Sequence, residues 1–234
     1  MKISTQTDHF ARIFGEEEAV RKLAEIGYDA YDFTLFHTNL ESSLINQKDY
    51  EVQALRLKRI AEDSGIVCNQ SHAPFPSYLL GNEEYNRRIY PLLVKAIEIT
   101  SLLGGKIVII HPAVFPGRSQ EDIDACMETN MELYNSLLPH ARECKVKIAL
   151  ENMFNWFAGD ATASPATCST ADEFNAYLDA LDPEYFVACL DIGHSEMKNS
   201  GSNSAAEMIR ALGHDRLKSL HVHDNDLIRD RHTL

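Results

Sequence analysis

Residues that bind metals stand at the ends of successive apolar runs. They are His72 in Ser71-His72-Ala73-Pro74, His111 in Ile110-His111-Pro112 and Glu151 in Leu150-Glu151-Asn152. Asp191 and His194 follow in Leu190-Asp191-Ile192-Gly193-His194, then His221 and His223 in Leu220-His221-Val222-His223. A carboxylate ending an apolar strand must be paired, metal-bound or solvated in a cavity, because an isolated buried charge is costly. Mixed histidine and carboxylate donors without cysteine suit Mn²⁺, Co²⁺, Zn²⁺ or Mg²⁺. Such an ion can hold vicinal oxygens of a hydroxy-carbonyl compound and stabilise an enediolate, while a nearby carboxylate shuttles the proton. Each residue also has a plainer reading. Asp191 is placed to cap a helix, Glu151 to form a rim salt bridge, and a lone strand-end histidine to make a structural hydrogen bond.

These side chains act together only if their strands are neighbours. The chain alternates strand and helix at roughly the length of a βα unit. Strands are expected at Lys2–Thr7, Ala30–Leu35, Ile66–Ser71, Lys106–Ile110, Val146–Leu150, Phe186–Leu190 and Leu217–Val222. The intervening helices show apolar faces: Ala19, Val20, Leu23 and Ile26 in the first, Val52, Leu55 and Ile60 in the second, Ala206, Ile209 and Leu212 in the last. Gly104-Gly105 stops the third helix. Ser119 with Asp122, and Thr170 with Glu173, form capping pairs. Lys106-Ile107-Val108-Ile109-Ile110 suits a strand buried on both faces. His221 and His223 alternate, so both face one side of their strand.

Seven strands and six helices argue for a single α/β domain over residues 1–234. An open doubly wound sheet would draw its ligands from a few strands at one switch point. Ligand-type residues here end five strands, which favours a (β/α)8-type TIM barrel, where all strand ends meet at one mouth. The eighth βα unit is not evident before Leu234. Between Met153 and Ser169 lie Phe154, Trp156 and Phe157, expected to cover the mouth and offer an aromatic face to substrate, or else to pack on neighbouring loops.

Composition narrows the partners. The 234 residues are 44% hydrophobic and 24% charged, with no run long enough to span a bilayer. The formal net charge of −13 makes nucleic acid an unfavoured partner. The N-terminus runs straight into a strand without a secretory stretch. Five scattered cysteines fit reduced thiols in the cytoplasm. No phosphate-binding glycine loop, dinucleotide fingerprint or nucleophile elbow is present. The oligomeric state stays open, a homo-oligomer included.

The ordered motifs Ser-His-Ala-Pro, Ile-His-Pro, Leu-Glu-Asn, Leu-Asp-Ile-Gly-His, Leu-His-Val-His-Asp and Arg-Asp-Arg-His span residues 71 to 232. Together they resemble the xylose-isomerase-like TIM-barrel superfamily of sugar (phosphate) isomerases, epimerases and endonuclease IV. The resemblance implies a divalent metal held by Glu151, Asp191 and His221. Glu151 would double as an acid/base carboxylate, and His194 would contact substrate hydroxyls. His72 and Trp156 are expected as further substrate contacts, Trp156 through the aromatic segment after the fifth strand. The fourth ligand, a glutamate on an eighth strand, has no counterpart before Leu234. The substrate implied is a small sugar, sugar phosphate or polyol. The same motifs also align His72, His111, Asp230 and His232 with extra ligands of a trinuclear zinc site, so an apurinic-site endonuclease stays open, as does a non-catalytic barrel.

Overall fold

The computed structural model describes residues 2–156, 163–224, 226–228 and 230, with Trp156 described by its backbone alone. Phe157 and His232 lie outside the described residues. The elements run β1 (Ser4–Gln6), α1 (Asp8–Phe14), α2 (Glu16–Ile26), β2 (Ala30–Thr34), α3 (Tyr50–Asp63), β3 (Val67–His72), α4 (Glu83–Leu102) and β4 (Ile107–Ile109). They continue with α5 (Gln120–Cys144), β5 (Lys147–Glu151), β6 (Phe154–Trp156), β7 (Ala163–Pro165), α6 (Ala171–Ala180), β8 (Phe186–Asp191), α7 (Ile192–Glu196), α8 (Ala205–Arg216) and β9 (Leu217–His221). Strands are hydrogen-bonded in the order β1-β2-β3-β4-β5-β8-β9. All seven expected strands are present, with β8 and β9 as the sixth and seventh. Among the described residues, no helix is long and apolar enough to cross a membrane.

The chain forms two compact units. The first comprises residues 1–77, 86–110 and 139–148. Its ladders β1–β2, β2–β3 and β3–β4 are parallel. Every residue of β2 is buried, Asp32 and Thr34 included, and Val108 and Ile109 of β4 are buried as well, which accounts for the continuous apolar character of β4. Thr34 and His72 are register partners at the ends of β2 and β3. Gly104 ends α4 with φ +87°, and the Gly105 amide bonds back to the Thr100 carbonyl, as the glycine pair foretells.

The second unit comprises residues 78–85, 111–138 and 149–234. Here β8, wholly buried, pairs in parallel with β9, and the register sets Asp191 directly beside His221. Ser119 and Asp122 cap α5 reciprocally, the Asp122 amide donating to Ser119 Oγ and the Ser119 amide to Asp122 Oδ2. Thr170 caps α6 through the Glu173 amide. The Glu173 carboxylate instead takes a two-pronged bond from Arg118, so a stronger charged partner displaces the reciprocal cap. A true capping box forms at Ser204 and Glu207 on α8. The segment after β5 folds into an antiparallel pair, β6 with β7.

Two helix faces differ from expectation. On α3 the buried positions are Ala54, Leu57 and Ala61, while Val52 is 67% exposed. On α8 they are Met208 and Leu212, while Ile209 is 42% exposed. Small alanines let α3 approach its strands closely, so the inward face is set by fit and not by the bulkiest apolar residues.

One buried amide ties the turn after His111 to α5. Asn130 Oδ1 accepts from the Ala113 amide at 2.7 Å, and its Nδ2 donates to the Ala113 carbonyl at 3.1 Å. Removing that side chain strands the buried Ala113 amide, worth about 1–3 kcal/mol, while the Ala113 carbonyl keeps the Thr167 hydroxyl at 2.8 Å. Asn130→Ala is therefore expected to lower the melting temperature by several degrees, at roughly 2–4 °C per kcal/mol for a chain of this size. Calorimetry of the two proteins checks this; an unchanged transition would remove the clasp from the stability of the unit.

Candidate metal centre

The second unit gathers carboxylates and imidazoles at the ends of β5, β8 and β9. β8 is apolar and buried up to Asp191, and β5 is apolar and buried from Ile148 to Leu150, so each leaves its terminal carboxylate at the rim. Glu151, 2% exposed, ends β5, and Asp191, 0% exposed, ends β8. Ligand atoms of Glu151, Asp191 and His194 all lie within 4.8 Å of one another. So do those of Glu151, Cys189 and His221.

The distances are instructive. His221 Nδ1 is 3.3 Å from Glu151 Oε1 and 3.6 Å from Asp191 Oδ2. His111 Nε2 is 3.3 Å from Glu151 Oε2. His194 Nε2 is 3.4 Å from Asp230 Oδ2 and 3.9 Å from Asp191 Oδ2. Several of these exceed a good N–H···O hydrogen bond. Bonds of about 2.0–2.2 Å to one ion would place neighbouring donors about 3.0–3.6 Å apart. Much of the cluster has that spacing. His194 Nε2 is sealed from solvent and makes no hydrogen bond of good geometry among the described residues. The donor chemistry, the spacing and this buried imidazole nitrogen all fit a divalent cation.

The charges of the cluster compensate one another. Burial disfavours the charged form of Glu151, but the His221 and His111 imidazoles outweigh it and hold the carboxyl well below its usual range. Asp191 is likewise lowered against burial, by bonds from His221 and His223 and by the charge of His194. Burial opposes protonation of His194, yet the carboxylates of Asp230, Asp191 and Glu151 push its pKa up to about 9. His221 is raised well above its usual value, against burial, by Cys189, Glu151 and Asp191.

The unit brings together Glu151, Asp191, His194, His221, His111 and Asp230 from the sequence-based set. His72 lies in the first unit, where its Nδ1 meets Asp32 Oδ1 at 2.9 Å and Gln70 holds the other oxygen of Asp32 at 2.7 Å. The Trp156 side chain and His232 are outside the described residues. The cluster also holds groups that sequence reasoning left unassigned. His223 Nε2 lies 3.0 and 3.1 Å from the two oxygens of Asp191; its alternation with His221 was the signal. Cys189 Sγ lies 3.4 Å from His221 Nε2, on the far side of the ring from Glu151. Burial raises the pKa of this thiol although His221 opposes that. Phe154 of β6 sets its ring edge-on against His194 at 4.7 Å.

The comparisons agree with this architecture. The model of the family described as xylose isomerase-like TIM barrel matches residues 20–234. The chain belongs to this family. Its parallel ladder and flanking helices are those of the TIM-barrel α/β fold. An uncharacterised protein of Methanocaldococcus jannaschii is 26% identical over 226 residues, covering 92% of this chain and 68% of the relative. A probable endonuclease 4 of Staphylococcus epidermidis is 25% identical over 231 residues, covering 93% of this chain and 72% of the relative. The crystal structure of a D-tagatose 3-epimerase-like protein shares the fold with a TM-score of 0.74 at 21% identity, over 99% of this chain and 79% of that one.

The raised imidazoles set a pH dependence. A histidine with a folded pKa above about 6.5 contributes stability that is complete below that value and lost as pH rises through the folded pKa. Metal-free protein is thus expected to lose melting temperature from pH 6.5 through about 9, the value reached by His194. A metal displaces these protons, so metal affinity should rise over the same interval. Thermal melts of chelator-treated protein, beside His194→Gln with its smaller loss, provide the check; a melting temperature that climbs with pH would contradict it.

Proposed function

We propose that the protein is a metal-dependent isomerase or epimerase of a small sugar, sugar phosphate or polyol. The observation that carries the reading is the buried Glu151 carboxylate, held ionised beside Asp191 with an imidazole at each of its oxygens. The fold shared with an epimerase-like protein supports the reaction class. Glu151, Asp191 and His221 would hold the metal, with His111 and Asp230 at its margin and Mn²⁺, Co²⁺, Zn²⁺ or Mg²⁺ all suited to the donors. When bound, such an ion supplies Lewis-acid polarisation of vicinal substrate oxygens.

The protein's own groups then handle the proton. Glu151, ionised and shielded from water, accepts it from the carbon beside the carbonyl. The C–H electron pair passes into the carbonyl and leaves an enediolate. Return of the proton by Glu151 to the neighbouring carbon isomerises the substrate; delivery of a proton to the opposite face by a second acid would invert the centre, with both groups then re-equilibrating their protons with solvent. His194, backed by Phe154, would turn its Nε2 to the ion or to a substrate hydroxyl beside it. The substrate roles of His72 and Trp156, and that of His232 as a ligand, rest on their motifs. We place the enzyme in a reducing compartment, since all five cysteines are free and four are buried.

A second reading has one specific support. Glu151 meets His221 through Oε1 and His111 through Oε2, each at 3.3 Å, the arrangement of a carboxylate able to bridge two ions. With an endonuclease 4 among the relatives, that favours multinuclear phosphodiester cleavage. The net charge of −13 weighs against a nucleic-acid substrate.

Elemental analysis separates the two. About one divalent ion per chain is expected, and about three zinc ions with cleavage of abasic-site DNA would overturn the isomerase reading. Incubating metal-loaded protein with ketoses and their phosphates in D2O should place deuterium on carbon beside the carbonyl. Glu151→Gln should slow that exchange by at least about 100-fold; undiminished exchange would remove Glu151 from the reaction.

A further inference from the structure

We propose that Asn152 is a positioning residue of the metal centre, acting through Asp191 and His194. The inference rests on the metal centre proposed above. It starts from the end of β5, where Glu151 faces the cluster and the next side chain turns to the neighbouring strand.

Asn152 is 0% exposed. Its Oδ1 accepts from the Asp191 amide at 2.7 Å, and its Nδ2 donates to the Asp191 carbonyl at 2.9 Å. The side-chain amide therefore makes both bonds that a neighbouring strand's backbone would make. Asp191 is gripped at its main chain from both sides of the residue while its carboxylate is left to the cluster. That carboxylate also accepts the His194 amide at 2.8 Å as the N-cap of α7. Asp191 is thus fixed along its backbone and at one oxygen.

The main chain of Asn152 fixes a second donor. Its carbonyl oxygen receives His194 Nδ1 at 2.8 Å. A carbonyl can only accept, so Nδ1 carries the hydrogen and the other ring nitrogen is the one available to a metal. That nitrogen, Nε2, faces Asp191 and Asp230. One residue therefore sets the aim of a carboxylate and the tautomer of an imidazole.

Few side chains could replace it. Aspartate keeps the acceptor for the Asp191 amide but turns the donor into an acceptor facing the Asp191 carbonyl, and adds a carboxylate beside Glu151 and Asp191. Leucine has the right volume and satisfies neither buried backbone group. Glutamine is one methylene too long for the two-bond grip. The Leu-Glu-Asn tripeptide thus divides its work: Glu151 supplies a donor, and Asn152 holds two others in place.

The test compares wild type, Asn152→Asp and, as a stability control in the first unit's core, Leu93→Ala. Titration of chelator-treated protein with Mn²⁺ or Co²⁺ gives the dissociation constants. Asn152→Asp should bind about 10–100-fold more weakly, whereas Leu93→Ala should melt earlier and bind within about twofold of wild type. Long-range ¹H–¹⁵N spectra of zinc-loaded wild type should show His194 protonated at Nδ1, a readout that needs no variant to fold. Equal affinity in Asn152→Asp, or a proton on Nε2 of His194, would overturn the role of Asn152 while leaving the metal centre standing. Failure of wild type to bind any divalent ion would overturn the centre itself and this inference with it.

Discussion

Two carboxylates that water cannot reach govern this site. Glu151 and Asp191 stand at the ends of strands whose preceding residues, Ile148–Leu150 and Phe186–Leu190, are apolar and buried. Leaving either charge bare would cost far more than one domain's stability allows. Their surroundings answer that demand with imidazoles: His221 reaches both, His111 takes the second oxygen of Glu151, and His223 takes both oxygens of Asp191. Protonated imidazoles and a divalent ion are interchangeable solutions to the same electrostatic problem. That exchange couples metal uptake to proton release.

The demand reaches into the scaffold. A buried charged cluster tolerates little play, because its attraction repays desolvation only with good geometry. Rigid strand ends provide part of that geometry, through the direct register of Asp191 with His221. Side-chain amides provide more. Asn130 grips Ala113, two residues past His111, and Asn152 grips Asp191, each amide pairing with one backbone N–H and one C=O. Both satisfy buried backbone amides, those of Ala113 and Asp191. The carbonyl of Asn152 then chooses which nitrogen of His194 faces the carboxylates.

Where sequence patterns misled, packing was the cause. The apolar residues Val52 and Ile209 suggested the inner faces of α3 and α8, but Ala54, Ala61 and Met208 lie inside. A 3.6-residue period admits more than one phase when apolar residues are plentiful, and only the partner surface selects one. Glu173 fits a capping box by spacing, yet a guanidinium 55 residues away claims its carboxylate. The segment rich in aromatics after β5 was legible as special, but its pairing as β6 with β7 was not, since three-residue strands carry no readable alternation.

The sequence by itself determined the element order, the strand ends that carry donors and the chemical kind of those donors. Apolar runs closed by His, Glu or Asp are local patterns, readable one segment at a time. Tertiary structure alone decided which nitrogen faces which oxygen, that His223 serves Asp191 and that Asn152 serves both Asp191 and His194. Those relations join residues 32 to 42 positions apart. Hydrogen-bond direction and donor spacing are properties of atoms brought together across strands, so no local pattern along the chain encodes them.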